Sequence, residues 1–316
     1  IMKNIYSNIF SFNKKILFKT ISNLKKGNVV GLPTETVYGL AGNAYSKKAI
    51  IKIYRLKKRP KINPLIVHYS SYKKASNDVI FNNNFFKLYK KFCPGPITFI
   101  LNKQKNSKIH SLANANLKTI AVRFPKNNII RSILKNIKFP LVMPSANLSS
   151  SISPINALDV AEEFKRKIKI IINGGNSKIG IESTVVDLTG KPKILRPGII
   201  GPEILKKYIK LVVAKKNIKI KSPGMLKKHY SPGIPMILNQ KHAKEKCAFI
   251  TFGSKYENIK NSFNLSKKAD LKEAASNLYK IFRKIKKKGY KKIYVSKIPN
   301  YGPGIAINDR LIRASK

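Results

Sequence analysis

Two hydrophobic patterns alternate along the chain: short unbroken apolar runs, and stretches where apolar residues recur at helical spacing. Residues 16–27 carry the second pattern, predicting a helix stopped by Gly27. Val29-Val30 begin a buried strand that runs into Gly31-Leu32-Pro33-Thr34-Glu35-Thr36-Val37-Tyr38-Gly39-Leu40-Ala41-Gly42, a polar centre in apolar surroundings. Its glycines permit positive φ or close backbone approach, and Pro33 fixes the entry angle. Ser46 caps a second helix through about Arg59, with Ile50, Ile53 and Tyr54 on one face and Pro60 as its stop. Further helices are predicted at 85–92, 128–134 and 156–167. Strands are predicted at 65–68, 97–101, 119–124, 141–143, 170–172, 184–188 and 193–195. Interleaved strands and helices of this kind argue for one α/β domain over residues 1–205.

Residues 206–235 read differently. They are lysine-rich and punctuated by Ser222-Pro223-Gly224 and Ser231-Pro232-Gly233, the composition of a linker. Met225, His229 and Tyr230 are unusual choices for a passive tether. Residues 236–316 form a second, smaller α/β domain, with strands at 236–238, 248–252 and 293–295 and a helix from Leu271 to about Lys288, ended by Gly289.

Composition changes this picture in one respect. Across 316 residues, Lys+Arg 65 against Asp+Glu 13 gives a formal net charge of +52. A field of that size draws polyanions, so nucleic acid is the obvious partner class. Yet the chain is thick with Lys, Asn and Ile, as AT-rich codons produce, and its lysines are spread along the whole length. Compositional drift is therefore the main cause, with weak RNA affinity as a by-product. Cys93 and Cys247 lie far apart without metal-ligand spacing, which argues against a zinc finger or disulfide framework and for a reducing cytoplasmic compartment. No run reaches the ~18 apolar residues of a membrane span. The amino terminus has lysines but no apolar core, so no secretory signal is expected.

Candidate chemistry sits where apolar runs end. Thr36, His68, Arg123, Ser145, Ser183 and Arg196 each follow such a run within a residue or two, and strand ends in α/β sheets are where ligands bind. Singly, each reads as a strand reaching the surface; jointly they predict one shared cavity. Lys57 and Arg59 close a helix, where cations gain roughly 0.3–1 kcal/mol from its dipole. The same pair suits a phosphate clamp, with Arg59 forking onto oxygens and Lys57 as a point charge. Neither a Walker-type loop nor G-x-G-x-x-G is present, so a nucleotide here is held by side chains and hydroxyls. No nucleophile–base pair is evident, and Glu35, Glu182 and Asp187 lack the spacing of a metal motif. Cys93 beside Pro94 reads as packing. The expectation is catalysis by positioning and charge neutralisation, with no protein metal site.

Taken in order, these segments resemble a known family. They are Pro33-Thr34-Glu35-Thr36-Val37-Tyr38-Gly39-Leu40, Lys57-x-Arg59-Pro60-x-x-Asn63-Pro64-Leu65, Pro94-Gly95-Pro96-Ile97-Thr98, Val122-Arg123-Phe124-Pro125, Pro144-Ser145-Ala146-Asn147 and Glu182-Ser183-Thr184-Val185-Val186-Asp187. The ordered set is similar to the YrdC-domain L-threonylcarbamoyladenylate synthases. Ser222-Pro223-Gly224-Met225 with His229-Tyr230-Ser231-Pro232, and Ala306-Ile307-Asn308-Asp309-Arg310-Leu311, extend the likeness to the long form with its linker and C-terminal domain.

The resemblance implies a fold: a twisted-sheet YrdC-like domain with a large concave cavity, joined by the linker to a Rossmann-like module. It also implies a reaction, in which L-threonine, bicarbonate and ATP give L-threonylcarbamoyladenylate and pyrophosphate. The product then feeds N6-threonylcarbamoyladenosine formation on tRNA by a separate transferase complex. Thr36, His68, Arg123, Ser183 and the backbone at Met143 are implied to hold threonine. Lys57, Arg59, Asn63, Thr119, Ser145, Ser153, Arg196 and Tyr230 are implied to meet ATP, whose magnesium ion travels with the nucleotide. Departures from the family pattern include Lys58, where a small residue is usual, and Ser150, where glycine is usual. An RNA-binding protein of the same fold is the alternative. The related hydrogenase-maturation carbamoyltransferases carry zinc-finger cysteines that two cysteines cannot supply.

Overall fold

The computed structural model describes residues 6–213, 229–256 and 259–316. Its helices begin where short polar side chains can accept an orphan backbone amide. Asn13, Ser46, Ser71, Asn82, Asn127 and Asn156 cap α1 (Lys14–Lys25), α2 (Lys47–Lys57), α3 (Tyr72–Ala75), α4 (Asn83–Phe92), α5 (Asn128–Lys135) and α6 (Ala157–Phe164) in this way. Proline stands in the first turn of α7 (Pro202–Leu205), and Asp270 caps α8 (Leu271–Lys287). Pro303 opens the last helix, α9 (Pro303–Ala314), behind Gly302. No helix is among the sequence expectations for this segment. Proline at the first helical position costs nothing, since its missing amide would have no intrahelical partner. The helix expected over 156–167 is shorter: α6 stops at Phe164, and Lys165 at φ 50° diverts the chain into a 3-10 turn.

The strands of the larger sheet, in chain order, are β1 (Ile9–Ser11), β2 (Val30–Leu32), β3 (Gly39–Asn43), β4 (Ile66–His68), β5 (Val79–Ile80), β6 (Ile97–Lys103), β7 (Thr119–Arg123), β8 (Leu141–Val142), β9 (Ile171–Asn173), β10 (Thr184–Asp187) and β11 (Lys193–Arg196). Across the sheet they run β1-β9-β2-β3-β8-β4-β7-β6-β10-β11, with β5 paired to β6. Directions are mixed: β4 is parallel to β7 but antiparallel to β8, and β6 is antiparallel to β7 but parallel to β10. β1 and β5 are too short to show a pattern in sequence and were not expected.

The two faces of this sheet differ. Val67, Val122 and Phe99 point into the main core with Ile50 and Ile53 of α2 and Phe85 and Leu88 of α4. Their neighbours on the opposite face, Ile66, Ala121 and Ile100, form a small separate cluster with Val185 and Leu195. Helices α2 and α4 thus cover one face; on the other, α1 and α5 pack over Val30, Leu32, Ala41 and Leu141, leaving a small apolar floor over β4, β7, β6, β10 and β11.

The smaller sheet is wholly parallel, ordered β12 (Met236–Ile237), β15 (Ile293–Val295), β13 (Ala248–Thr251), β14 (Ser262–Asn264), with α8 and α9 packed together beside it. Its core is continuous with Val37, Ile152, Ile155, Ile181 and Tyr230, so the two units share one apolar interface. Between the sheets, the chain beyond α7 still packs on the first unit, with Tyr208 against Phe92 and the Val212 amide donating to the Pro192 carbonyl at 2.8 Å. Much of the expected linker, including Ser222-Pro223-Gly224-Met225, lies outside the described residues. Its far end returns to the first unit, where Ser231 pairs with Ser151 and its amide donates to the Ser150 carbonyl at 2.9 Å.

Candidate functional site

A cavity lies over the apolar floor, with Ile66 of that floor in its lining. Ile66 and His68, two residues apart on β4, both face it, as strand alternation requires. Arg123 pairs with His68 across β4 and β7 and joins them. Thr36, Arg59, Met143, Ser145, Arg196 and Tyr230 complete the expected residues that line the cavity. Register sets His68, Arg123 and Arg196, at the ends of β4, β7 and β11, in one row across the sheet, so these strand ends converge on a single cavity.

The opening loop is held by its first threonine. Thr34 Oγ1 accepts from the Thr36 and Val37 amides at 3.1 and 3.2 Å and donates to the Val37 carbonyl at 2.6 Å. That leaves the Thr36 hydroxyl, 2.8 Å away, to present itself in the cavity. Glu35 reaches sideways: its Oε1 takes a 2.7 Å ion pair from Arg123 Nη2, and its Oε2 accepts the Lys126 and Asn127 amides. Burial alone would raise the Glu35 pKa, but the Arg123 charge and these hydrogen bonds hold it below the ordinary carboxylate value. Arg123 keeps a buried Nε with no partner among the described residues.

On the other wall, Arg59 Nε and Nη2 donate to the Asn63 carbonyl, Asn63 Oδ1 and the Pro64 carbonyl at 2.6–3.0 Å. Burial lowers its pKa to about 10, so it stays a cation at neutral pH. Arg196 is aimed by Ser183, whose carbonyl and hydroxyl it contacts through Nε and Nη2, both at 3.0 Å. The Ser183 hydroxyl is in turn 2.7 Å from that of Thr98.

Five expected residues do not line the cavity. Ser183 and Asn63 stand behind Arg196 and Arg59. Ser153 donates to Glu182 Oε1 at 2.6 Å. Lys57 is buried, its ammonium donating to the Ser145 carbonyl at 2.6 Å and to the Asn147 carbonyl, so it braces the Pro144–Asn147 turn from below. Burial and then the Arg59 charge lower its pKa well below the usual lysine value. Thr119 begins β7, paired with Asn102 of β6, and is absent from the cavity lining. At Met143 the amide is already spent on the Ile66 carbonyl at 2.9 Å, leaving the carbonyl for any ligand.

Two lining residues received no role from sequence. Glu182 was weighed only as a metal ligand, and His229 was flagged but not assigned. Burial drives the pKa of both His68 and His229 down to about 3, and neighbouring cations reinforce the effect, so both rings are neutral at physiological pH. Cys93 packs against the core and burial pushes its thiol pKa upward, in agreement with a packing role. The site offers arginine forks, hydroxyls and neutral imidazoles, a set suited to holding carboxylate and phosphate groups in line.

Comparison with known proteins accounts for both units. Residues 22–198 match the Sua5, YciO and YrdC family model, described as telomere recombination, and residues 200–316 match the threonylcarbamoyl-AMP synthase C-terminal domain. The threonylcarbamoyl-AMP synthase of Pyrococcus abyssi is 34% identical over 92% of each chain, and that of Bacillus subtilis is 31% identical over 96% of this chain and 94% of its own. A solved Pyrococcus abyssi structure, complexed with L-threonine, superposes with a TM-score of 0.86 at 31% identity over 97% of both chains. Escherichia coli YciO, at 22% identity and TM-score 0.53, shares the fold of the larger unit.

Proposed function

The chain belongs to the threonylcarbamoyl-AMP synthase family, ATP-using transferases, and from that premise we propose how its cavity divides between the substrates. The observation that carries the reading is the convergence of Arg123, Thr36, His68, Arg59, Arg196 and Tyr230 on a single cavity. Arg123 has one nitrogen on Glu35 and further donors to spare, which suits the carboxylate of L-threonine. Thr36, neutral His68 and the Met143 carbonyl would hold its amine and hydroxyl, with Ser183 acting through Arg196. Arg59 and Arg196 would take the phosphates of ATP beside Ser145 and the Tyr230 hydroxyl. Asn63, Ser153, Thr119 and Lys57 would support that wall.

The amine of threonine reacts with bicarbonate to give a carbamate and water. A carbamate oxygen then attacks the α-phosphorus, and pyrophosphate leaves. No side chain need become covalently attached: the protein's task is to align three reactants and to neutralise charge, which together offset much of the barrier. The oxygens of Glu35 and Glu182 are already engaged by arginine, tyrosine, serine and backbone donors, so the magnesium ion would remain the nucleotide's own. Residues 1–205 would be the catalytic domain, 206–235 a linker reaching the site, and 236–316 the C-terminal domain. A cytoplasmic compartment and a tRNA-modifying transferase complex as consumer of the product complete the reading. RNA affinity would be weak and incidental. Among the described residues, no helix is long and apolar enough to cross a membrane.

Pyrophosphate release by the purified protein tests this. It should require L-threonine, bicarbonate and ATP together, and Arg59→Ala should abolish it while leaving tRNA affinity unchanged. Release that persists without threonine would sink the assignment of the cavity.

A further inference from the structure

Arg310, in the C-terminal segment Ala306–Leu311, is fully buried and reaches out of α9 into the wall of the cavity. Its Nε donates to Glu182 Oε2 at 3.0 Å, and its Nη1 donates at 2.8 Å both to the Pro197 carbonyl, next to Arg196, and to Asp309 Oδ2. Asp309 is an acid that Arg313 also pairs, at 2.9 Å, so Glu182 is the acid that depends on Arg310 for its ion pair. Its guanidinium also lies 5.0 Å from the centre of the Tyr230 ring. Tyr279 of α8 donates to the same carboxylate, 3.1 and 3.0 Å from its two oxygens. Glu182 is thus an acid inside a cavity built for anions, and both C-terminal helices spend buried side chains on it.

A bare carboxylate there would act in two ways. It would repel a polyphosphate, and it would draw Arg196, the next cation that acts on it electrostatically, away from Ser183. We propose that Arg310 is a positioning residue for ATP use: supplied by the C-terminal domain, it neutralises Glu182 and keeps Arg196 free for the nucleotide. The C-terminal domain is then part of the nucleotide site, although none of its side chains need touch the substrate. This rests on the ATP placement proposed above.

The test is steady-state pyrophosphate release together with calorimetric L-threonine binding. Arg310→Met should raise the KM for ATP on the order of tenfold, the effect of one uncompensated charge about 10 Å away at an effective dielectric of about 20. Threonine affinity should change less than about twofold, which a general loss of fold would not leave intact. Adding Glu182→Gln to Arg310→Met removes the acid that needs neutralising and should return the KM to within about threefold of the parent. Arg310→Lys, which keeps the charge and loses the fork, should stay within about threefold as well. If Arg310→Met does not fold, the double variant and Arg310→Lys carry the comparison, and a tenfold rise in either overturns the proposal. So does an unchanged KM in Arg310→Met, or an equal loss of threonine binding. Arg59→Ala separates the two readings: undiminished pyrophosphate release there overturns the ATP placement itself, whereas abolished release with normal Arg310→Met kinetics overturns only the role of Arg310.

Discussion

Glu35 and Arg123 show how one side chain prepares another. Their side chains are only 10% and 6% exposed, so the 2.7 Å ion pair acts in a low-dielectric setting where a lone arginine would be costly. Glu35 does not reach the cavity; it fixes the plane of a guanidinium that does. Glu35→Gln should weaken L-threonine binding roughly tenfold, about 1.4 kcal/mol, and ATP use much less, as read by calorimetric titration of each substrate. Equal losses would mean that Arg123 does not serve threonine. Beside Glu35, Thr34 braces the loop through the Val37 backbone while Thr36 stands in the cavity lining.

At the scale of elements, two departures from the family pattern coincide with backbone geometry. Lys58 closes α2 at φ 48°, and Ser150 stands at φ 69° where the chain meets Ser231. Left-handed backbone costs a residue with a Cβ about 1–2 kcal/mol and glycine almost none. Lys58→Gly and Ser150→Gly should therefore each raise stability by roughly 0.5–1 kcal/mol after glycine's extra chain entropy is deducted. Denaturant midpoints at unchanged slope would measure this, and a loss at either position would contradict it. The same turn explains Lys57: one residue before the left-handed cap, its ammonium goes under the Pro144–Asn147 turn, while Arg59, one residue after it, enters the cavity.

For the whole molecule, the neutral buried histidines link folding to acidity. Both His68 and His229 have folded pKa values of about 3 against 6.5 for the free side chain, so between those values the unfolded chain binds more protons. Stability therefore rises with pH across that window and is lost as pH falls from 6.5, by up to about 1.4 kcal/mol per pH unit for each group. The depressed carboxyls of Glu35 and Glu182 act in the same direction below the ordinary carboxylate value of 4.5. Chemical denaturation from pH 8 to 4 should show a plateau above about 7 and a steep decline below 6.5, flattened by His68→Gln with His229→Gln. A flat profile would place these rings in water. The net charge of +52 adds self-repulsion that should sharpen the acid limb.

The sequence by itself determined the α/β class, the order of the longer elements, the Ser46 cap and Pro60 stop of α2 and the family, because caps, stops and apolar periodicity are local and the motif set is ordered along the chain. The short α3, α7, β1, β5 and β14 and the helix α9 were not legible in it. The sequence also named half of the lining residues: Thr36, His68, Arg123, Ser145 and Arg196 because each follows an apolar run, Arg59 from the basic helix end, and Met143 and Tyr230 through the family resemblance. Tertiary structure alone decided which of them face the cavity and which stand behind. Lys57 and Arg59 are two residues apart and look interchangeable in sequence, yet helix geometry sends one under a turn and the other into the site. Strand register, which no local pattern records, decided that His68, Arg123 and Arg196 stand in one row. Only packing could join Glu182 to Arg310, 128 positions apart, because no local pattern records which distant charge a buried carboxylate will meet.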